Sequence, residues 1–241
     1  MPHGGPDWST GGQISTVHTV EDLGELAARL GSIVTFDRRG NVIWMDDFES
    51  GIEKWMPVEG DAGAALVWSS EHARNGGFSA KLSTDDDTDD DAVMLTALPY
   101  PVLSRIGYEF SFLRDNYLKT LRLRIELSTD VETLYAEIEW TAATGIWLYV
   151  DDTGFYNLTP PTEFPIEYSI FNTVKLVADY VKKEYVRLIV NNTVFDLSGK
   201  TLWSGLPLTD PSIIMNIIIV TSSNDVATLY TDDVIITQNE P

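Results

Sequence analysis

The stretch from Leu121 to Trp140 constrains the fold of this chain more than any other. Leu121, Leu123, Ile125 and Leu127 alternate with Arg122, Arg124, Glu126 and Ser128. After a short break, Leu134, Ala136, Ile138 and Trp140 alternate with Tyr135, Glu137 and Glu139. Successive side chains of an extended strand point to opposite faces, so each run predicts a strand with one face on a core and one face wet. Val186, Leu188 and Val190 repeat the pattern against Tyr185, Arg187 and Ile189. Ile213 to Val220 is apolar except at Asn216, which predicts a strand buried on both faces. Asn191-Asn192 and Asp151-Asp152-Thr153-Gly154 have the chemistry of tight turns, and Thr141 to Gly145 reads as a hairpin loop. Short strands punctuated by turns roughly every ten residues predict an all-β sandwich.

Charge narrows the partners. Of 241 residues, 16 are Lys or Arg and 37 are Asp or Glu, a net charge of −21. Such a field repels phosphate, so nucleic acid is not an expected partner, and it disfavours a basic membrane-surface helix. The Ile213 to Val220 run is far too short to span a bilayer, so no membrane partner is expected. There is no cysteine, so disulfide usage gives no information about compartment. Met1 to Trp8 carries neither the basic nor the apolar region of a secretory signal.

The front of the chain is built differently. Residues 1–18 are rich in Gly, Ser and Thr and read as an extended arm. Thr19 can cap a helix with Asp22 near its third position. Leu23, Leu26, Ala27 and Leu30 then fall on one face, and Gly31 ends it. A lone amphipathic helix must dock its stripe on the sandwich or on a partner chain. A hairpin is expected next, with Ser32 to Asp37 and Val42 to Met45 joined at Arg38-Arg39-Gly40-Asn41. The division is therefore 1–45, an arm, helix and hairpin for docking, and 46–241, the sandwich.

Two acidic motifs bracket that sandwich: Asp46-Asp47-Phe48-Glu49-Ser50-Gly51 at its start and Thr231-Asp232-Asp233-Val234 in its last strand. Together with Trp55 and His72-Ala73-Arg74-Asn75-Gly76-Gly77-Phe78-Ser79-Ala80-Lys81-Leu82, they resemble jelly-roll carbohydrate-binding modules and the related concanavalin-A-like sandwiches. The resemblance covers roughly residues 46–237. It implies a jelly roll with adjacent first and last strands, and a structural calcium where they meet. Carried over residue by residue, the implied ligands are Asp47, Glu49 and Asp233, which with backbone carbonyls suit a hard cation. As residues alone, they read equally as strand-edge charges. The helix and hairpin at 26–40 are similar to the front of phage-type virion proteins that carry a lectin-like sandwich.

Other candidates stay open between readings. Tyr135, Glu137 and Glu139, with Trp147 and Tyr149 from the next strand, are expected on one outward face. Aromatic faces beside carboxylates suit a sugar ring, yet the same patch suits a subunit interface, or, with the phase inverted, the core. Interface or core is the preferred reading. Asp85 to Asp91 holds six carboxylates without the glycine and closing glutamate of an EF-hand, so a solvated loop is expected. Glu137-Ile138-Glu139 resembles part of the catalytic strand of family 16 glycoside hydrolases. Trp140 follows where that family continues its acidic series, which removes the acid/base partner. No nucleophile elbow, Walker loop or dinucleotide fingerprint occurs, and His3, His18 and His72 lack metal-ligand spacing.

The expectation is a non-catalytic virion structural protein, a capsid decoration or tail component, located on the virion. Its partners would be copies of itself or other virion proteins, with Trp8, Leu23, Leu26 and Leu30 making the assembly contacts. The alternative is a calcium-stabilised carbohydrate-binding protein of a cell-surface or extracellular system, with glycans as partners.

Overall fold

The alternating runs become two antiparallel sheets packed face to face in a computed structural model. It describes residues 39–58, 62–99, 102–158, 166–168, 170–208, 210–222 and 224–241. Sixteen strands, numbered along the chain, occur among the described residues. The first sheet runs β13 (Thr193–Asp196), β12 (Glu184–Val190), β11 (Asn172–Asp179), β6 (Arg105–Arg114), β16 (Thr228–Gln238), β4 (Ser79–Ser83) and β3 (Ala65–Ser69). Strand β1 (Asn41–Asp46) also pairs with β16. The second runs β10 (Gly154–Asn157), β9 (Ile146–Asp151), β8 (Thr133–Thr141), β7 (Leu118–Ser128), β15 (Ser212–Thr221), β5 (Asp91–Pro99) and β2 (Met56–Val58). Strand β14 (Trp203–Gly205) joins the second sheet through β8. The fold is an all-β sandwich, and no helix occurs among the described residues.

One core fills the space between the sheets. Tyr108, Phe110, Phe112, Leu176, Leu188 and Ile236 enter it from the first sheet. Leu121, Leu123, Ile125, Ala136, Ile138, Trp140, Ile213, Met215, Ile217 and Ile219 enter from the second. Each such side chain removes apolar surface from water, about 1.5–3 kcal/mol for a large one. The alternating polar partners are thereby committed to the outside of each sheet.

Several expectations reappear as geometry. Asn191-Asn192 turns β12 into β13, with Val190 opposite Thr193 and Asn191 at a φ of 51°. Asp151 pairs with Gly154 across a two-residue turn. The first described strand pairs with the last, as Met45 opposite Ile235 and Asp46 opposite Val234. The strand expected at Val42 to Met45 is therefore present within β1, but its described partner is β16. The arm, the helix, the strand at 32–37 and the assembly residues Trp8, Leu23, Leu26 and Leu30 lie outside the described residues. Among those described, no helix is long and apolar enough to cross a membrane.

Candidate functional site

Strand register decides which polar side chains share the outside of the second sheet. Directly opposed residues of an antiparallel pair project to the same side. Across β7 and β8, Arg122 faces Glu139, Arg124 faces Glu137 and Glu126 faces Tyr135. All six point away from the core, because their neighbours Leu121, Leu123, Ile125, Ala136, Ile138 and Trp140 fill it. Arg122 Nε donates to Glu139 Oε2 at 2.5 Å, and Arg124 Nε donates to Glu137 Oε2 at 2.5 Å. Arg124 Nη1 also reaches Glu126 Oε1 at 3.5 Å. From β15, Asn216 lies opposite Arg124 and donates its side-chain amide to Glu126 Oε1 at 2.8 Å. Burial pushes the Glu126 carboxyl above its ordinary value, a shift that the Arg124 guanidinium beside it only partly opposes. The result is a connected polar floor held by ion pairs.

An aromatic pair stands at one end of that floor. Trp203 of β14 is opposite Tyr135 of β8, and their rings stack with centroids 4.2 Å apart at 23°. Gly205, two residues on, makes room for Tyr135. A Cβ there would stand 3.1 Å from the tyrosine ring, so the ring lies across bare backbone. Burial pushes the Tyr135 phenol up, with the Glu126 charge adding to it. Near the other end, Phe155 of β10 is half exposed, and the Arg122 guanidinium lies 5.8 Å from its ring centroid. Rings and hydrogen-bonding groups thus share one surface, which is what a sugar, with its apolar ring faces and polar rim, requires.

The floor is anchored from beneath by a hydroxyl of the other sheet. Strand β8 pairs with β14 over Thr133–Tyr135 and with β9 from Ile138 onward, which leaves Ala136 and Glu137 at a changeover. Tyr185 of β12 reaches across the core to that gap. Its hydroxyl accepts from Glu137 N at 2.8 Å and can donate to Val150 O at 2.7 Å or to Glu137 O at 2.9 Å. Burial raises the Tyr185 phenol far above its ordinary range, so it stays a neutral donor and acceptor.

Trp147 and Tyr149 are not on this face. Trp147 pairs with Trp140 and Tyr149 with Ile138, so both project into the core, where the buried Trp147 indole N–H finds no partner among the described residues. The structure thus keeps Tyr135, Glu137 and Glu139 together on the outside and replaces the two expected aromatics by Trp203. Arg122, Arg124 and Glu126, which the alternation places on a wet strand face, join the site only through the pairing of β7 with β8. Nothing local in the sequence marks Trp203, which sits in a three-residue strand.

The acidic motifs meet at a second place, on the first sheet. Strand β16 pairs with β4 over Thr228–Thr231 and with β1 from Val234 onward, and the register against β6 shifts between Asp232 and Ile235. Asp233 takes a φ of 50° at this irregularity, a conformation uncommon for a residue with a Cβ. Asp232 Oδ2 accepts from the backbone N–H groups of Arg74 at 2.7 Å and Asn75 at 3.2 Å. Asp233 Oδ2 accepts from Asn75 Nδ2 at 3.1 Å and Arg74 Nη1 at 3.4 Å, whereas its buried Oδ1 has no partner among the described residues. Burial pushes Asp232 up to about 6, with Glu49 adding repulsion. Burial and the Asp232 charge push Asp233 up to about 7, with Asp47 adding to it. Glu49 Oε1 accepts from Gly77 N and Phe78 N at 2.8 and 2.9 Å, lying against Gly76, where a Cβ would come within 2.3 Å of it. Asp46, by contrast, is structural: it accepts from Lys54 Nζ at 2.9 Å and Trp55 Nε1 at 3.0 Å while Phe48 enters the core.

This cluster has the right atoms for calcium: hard carboxylate oxygens, one of them orphaned and buried. It is not a preformed cage. Among the described residues no three His, Cys, Asp or Glu side chains are placed to hold a metal ion together. Asp85 to Asp91 runs from the connection after β4 into the start of β5, with Asp89 ion-paired to Lys119 and four of its seven residues exposed.

Comparison with known proteins supports the architecture. No protein-family model matches the sequence, and no curated protein does. Solved structures do match. "Cellulose induced protein, Cip1" is 15% identical, with a TM-score of 0.57 over 80% of this chain and 96% of that one. An endo-β-1,4-glucuronan lyase from the fungus Trichoderma reesei is 10% identical, with a TM-score of 0.60 over 82% and 95%. A protein with a galectin-like fold from Bacillus subtilis is 13% identical, with a TM-score of 0.53 over 83% and 97%. At such identities the likeness is one of fold alone, a β-sandwich of two antiparallel sheets. An enzyme stands among these structures, so the fold alone does not separate binding from catalysis. The virion role and virion location find no support in these likenesses.

Proposed function

We propose that this chain is a carbohydrate-binding protein that takes its ligand on the outside of the second sheet. Trp203 and Tyr135 provide the stacking surface, and Arg124, Glu126, Glu137 and Asn216 provide the polar floor. The observation that carries the reading is the Tyr135–Trp203 stack standing directly beside a hydrogen-bonded ladder of guanidinium, carboxylate and amide groups. Stacking supplies affinity without dependence on ring substituents, and the fixed ladder supplies orientation. Such a role fits a cell-surface or extracellular setting.

Binding without turnover is the reading we adopt. Retaining hydrolysis needs two carboxyl groups across a cleft, one of them free to give and take a proton. Glu137 and Glu139 instead sit side by side on one strand, each tied to an arginine Nε. Calcium has a structural part in this proposal. Asp233 would hold it through the orphaned Oδ1, with Asp47 and Glu49 turned toward the ion, pinning the first described strand to the last.

The test is a glycan array read with wild-type protein and with Trp203→Ala. The expected result is binding to a restricted set of glycans that the variant loses by about tenfold or more, with its melting temperature nearly unchanged. A correctly folded wild-type protein that retains no glycan on the array would end the proposal.

A further inference from the structure

The charge arrangement on the same face points to the class of glycan, an inference that rests on the carbohydrate-binding reading above. Among the described residues, the cationic side chains on the polar floor are Arg122 and Arg124, and the anionic ones beside them are Glu126, Glu137 and Glu139. Two guanidiniums against three carboxylates leave the floor with one excess negative charge, inside a chain that carries −21 overall. An acidic sugar brings a further carboxylate or sulfate into that field and is repelled.

Geometry adds to charge. Arginine recognises a carboxylate best through a two-pronged contact in which adjacent N–H groups meet both oxygens. The Nε edge of Arg122 is already given to Glu139, and the Nε edge of Arg124 to Glu137. Arg124 Nη1 is directed at Glu126. Arg124 is thus engaged through Nε and Nη1 and Arg122 through Nε, and each guanidinium has its charge balanced by the carboxylate beside it. The side chains of Arg122 and Arg124 keep 32% and 25% of their surface exposed, against 10% and 3% for Glu139 and Glu137. Charge-balanced donors of this kind suit a sugar hydroxyl, which accepts hydrogen bonds and carries no charge.

We infer that this face selects neutral, hydroxyl-rich glycans and discriminates against uronic, sialylated or sulfated ones. The carboxylates are the discriminating groups, because they balance the arginine charges and occupy the Nε edges of both guanidiniums.

The experiment compares polymers that share a backbone and differ in charge: hydroxyethylcellulose with carboxymethylcellulose, and dextran with carboxymethyl-dextran, by affinity gel electrophoresis at low and moderate salt. The glycan array, sorted into neutral and acidic members, extends the comparison to other backbones. Neutral members should bind at least about tenfold more tightly than their carboxylated counterparts, and the gap should narrow as salt screens the repulsion. Glu137→Gln, checked for an unchanged melting profile, should narrow the gap further by releasing the Nε edge of Arg124. Preferential binding of carboxylated or sulfated members would overturn the inference while leaving carbohydrate binding intact. Absence of binding to every polymer and every array member would overturn the carbohydrate reading itself.

Discussion

Strands β8 and β16 each change partner partway along, and the two changeovers are closed in different ways. At Ala136–Glu137 the ladder of the second sheet is interrupted, and the neutral Tyr185 hydroxyl fills the gap, meeting backbone N–H and C=O groups from across the core. The Glu137 carboxylate is answered by Arg124. At Asp232–Asp233 the ladder of the first sheet is interrupted, and two carboxylates fill the gap themselves by capturing the loop at Arg74 and Asn75. One carboxylate oxygen there finds no partner among the described residues. The first junction is saturated and supports a rigid recognition face. The second holds unspent negative charge, which is what a bound cation or a proton would relieve.

The largest effect expected from this contrast is a pH dependence centred on the acidic junction. Folded-state values of about 6 for Asp232 and about 7 for Asp233 lie above the ordinary carboxylate range. The folded protein therefore binds protons that the unfolded chain releases. Their contribution to stability is complete below about pH 4 and is lost as pH rises through 6 and 7. In the presence of a chelator, urea denaturation should show wild type losing on the order of 3 kcal/mol relative to Asp233→Asn between pH 4 and pH 8. Millimolar calcium should restore part of that loss at pH 8 in wild type alone. A difference between the two proteins that stays flat with pH would contradict this account.

A smaller, pH-independent loss should follow when the saturated junction is opened. Tyr185→Phe keeps the ring in the core but leaves Glu137 N–H and a carbonyl at Glu137 or Val150 without a partner, a cost of about 1–3 kcal/mol. Equal unfolding midpoints for the variant and wild type would mean that the gap closes without the hydroxyl. The smallest effect belongs to the partly exposed ladder on the sheet surface. Arg122→Gln removes one ion pair and should change stability by less than about 1 kcal/mol. A loss several times larger in thermal or urea unfolding would mark the pair as part of the framework, on a level with Tyr185.

Much of this was legible beforehand, for a local reason. A period of two names the faces of a strand without knowledge of its neighbours, so Leu121 to Leu127 and Leu134 to Trp140 read correctly as core-facing runs. The jelly-roll resemblance carried by Asp46-Asp47 and Asp232-Asp233 implies adjacent first and last strands, and the strand that lies against β16 is β1, which the sequence places in a hairpin with 32–37. Trp147 and Tyr149 show where local reading stops. A five-residue loop from Thr141 to Gly145 sets Trp147 opposite Glu139 and Tyr149 opposite Glu137, on the outer face. The structure pairs Thr141 with Ile146 instead, which leaves a four-residue connection and sets Trp147 opposite Trp140. One residue of register turns every side chain of a strand to the other side.

The sequence by itself determined the strands at 121–127 and 134–140, the tight turns at Asn191-Asn192 and Asp151 to Gly154, and which side of those two strands would be wet, because those follow from alternation and turn chemistry between near neighbours. Only the tertiary structure decided that Arg122 and Arg124 answer Glu139 and Glu137, that Trp203 meets Tyr135 from 68 positions along the chain, and that Tyr185 and Asp233 close two interrupted ladders. Each of those contacts depends on register and on crossing the core, and a residue's immediate neighbours in sequence carry no record of either.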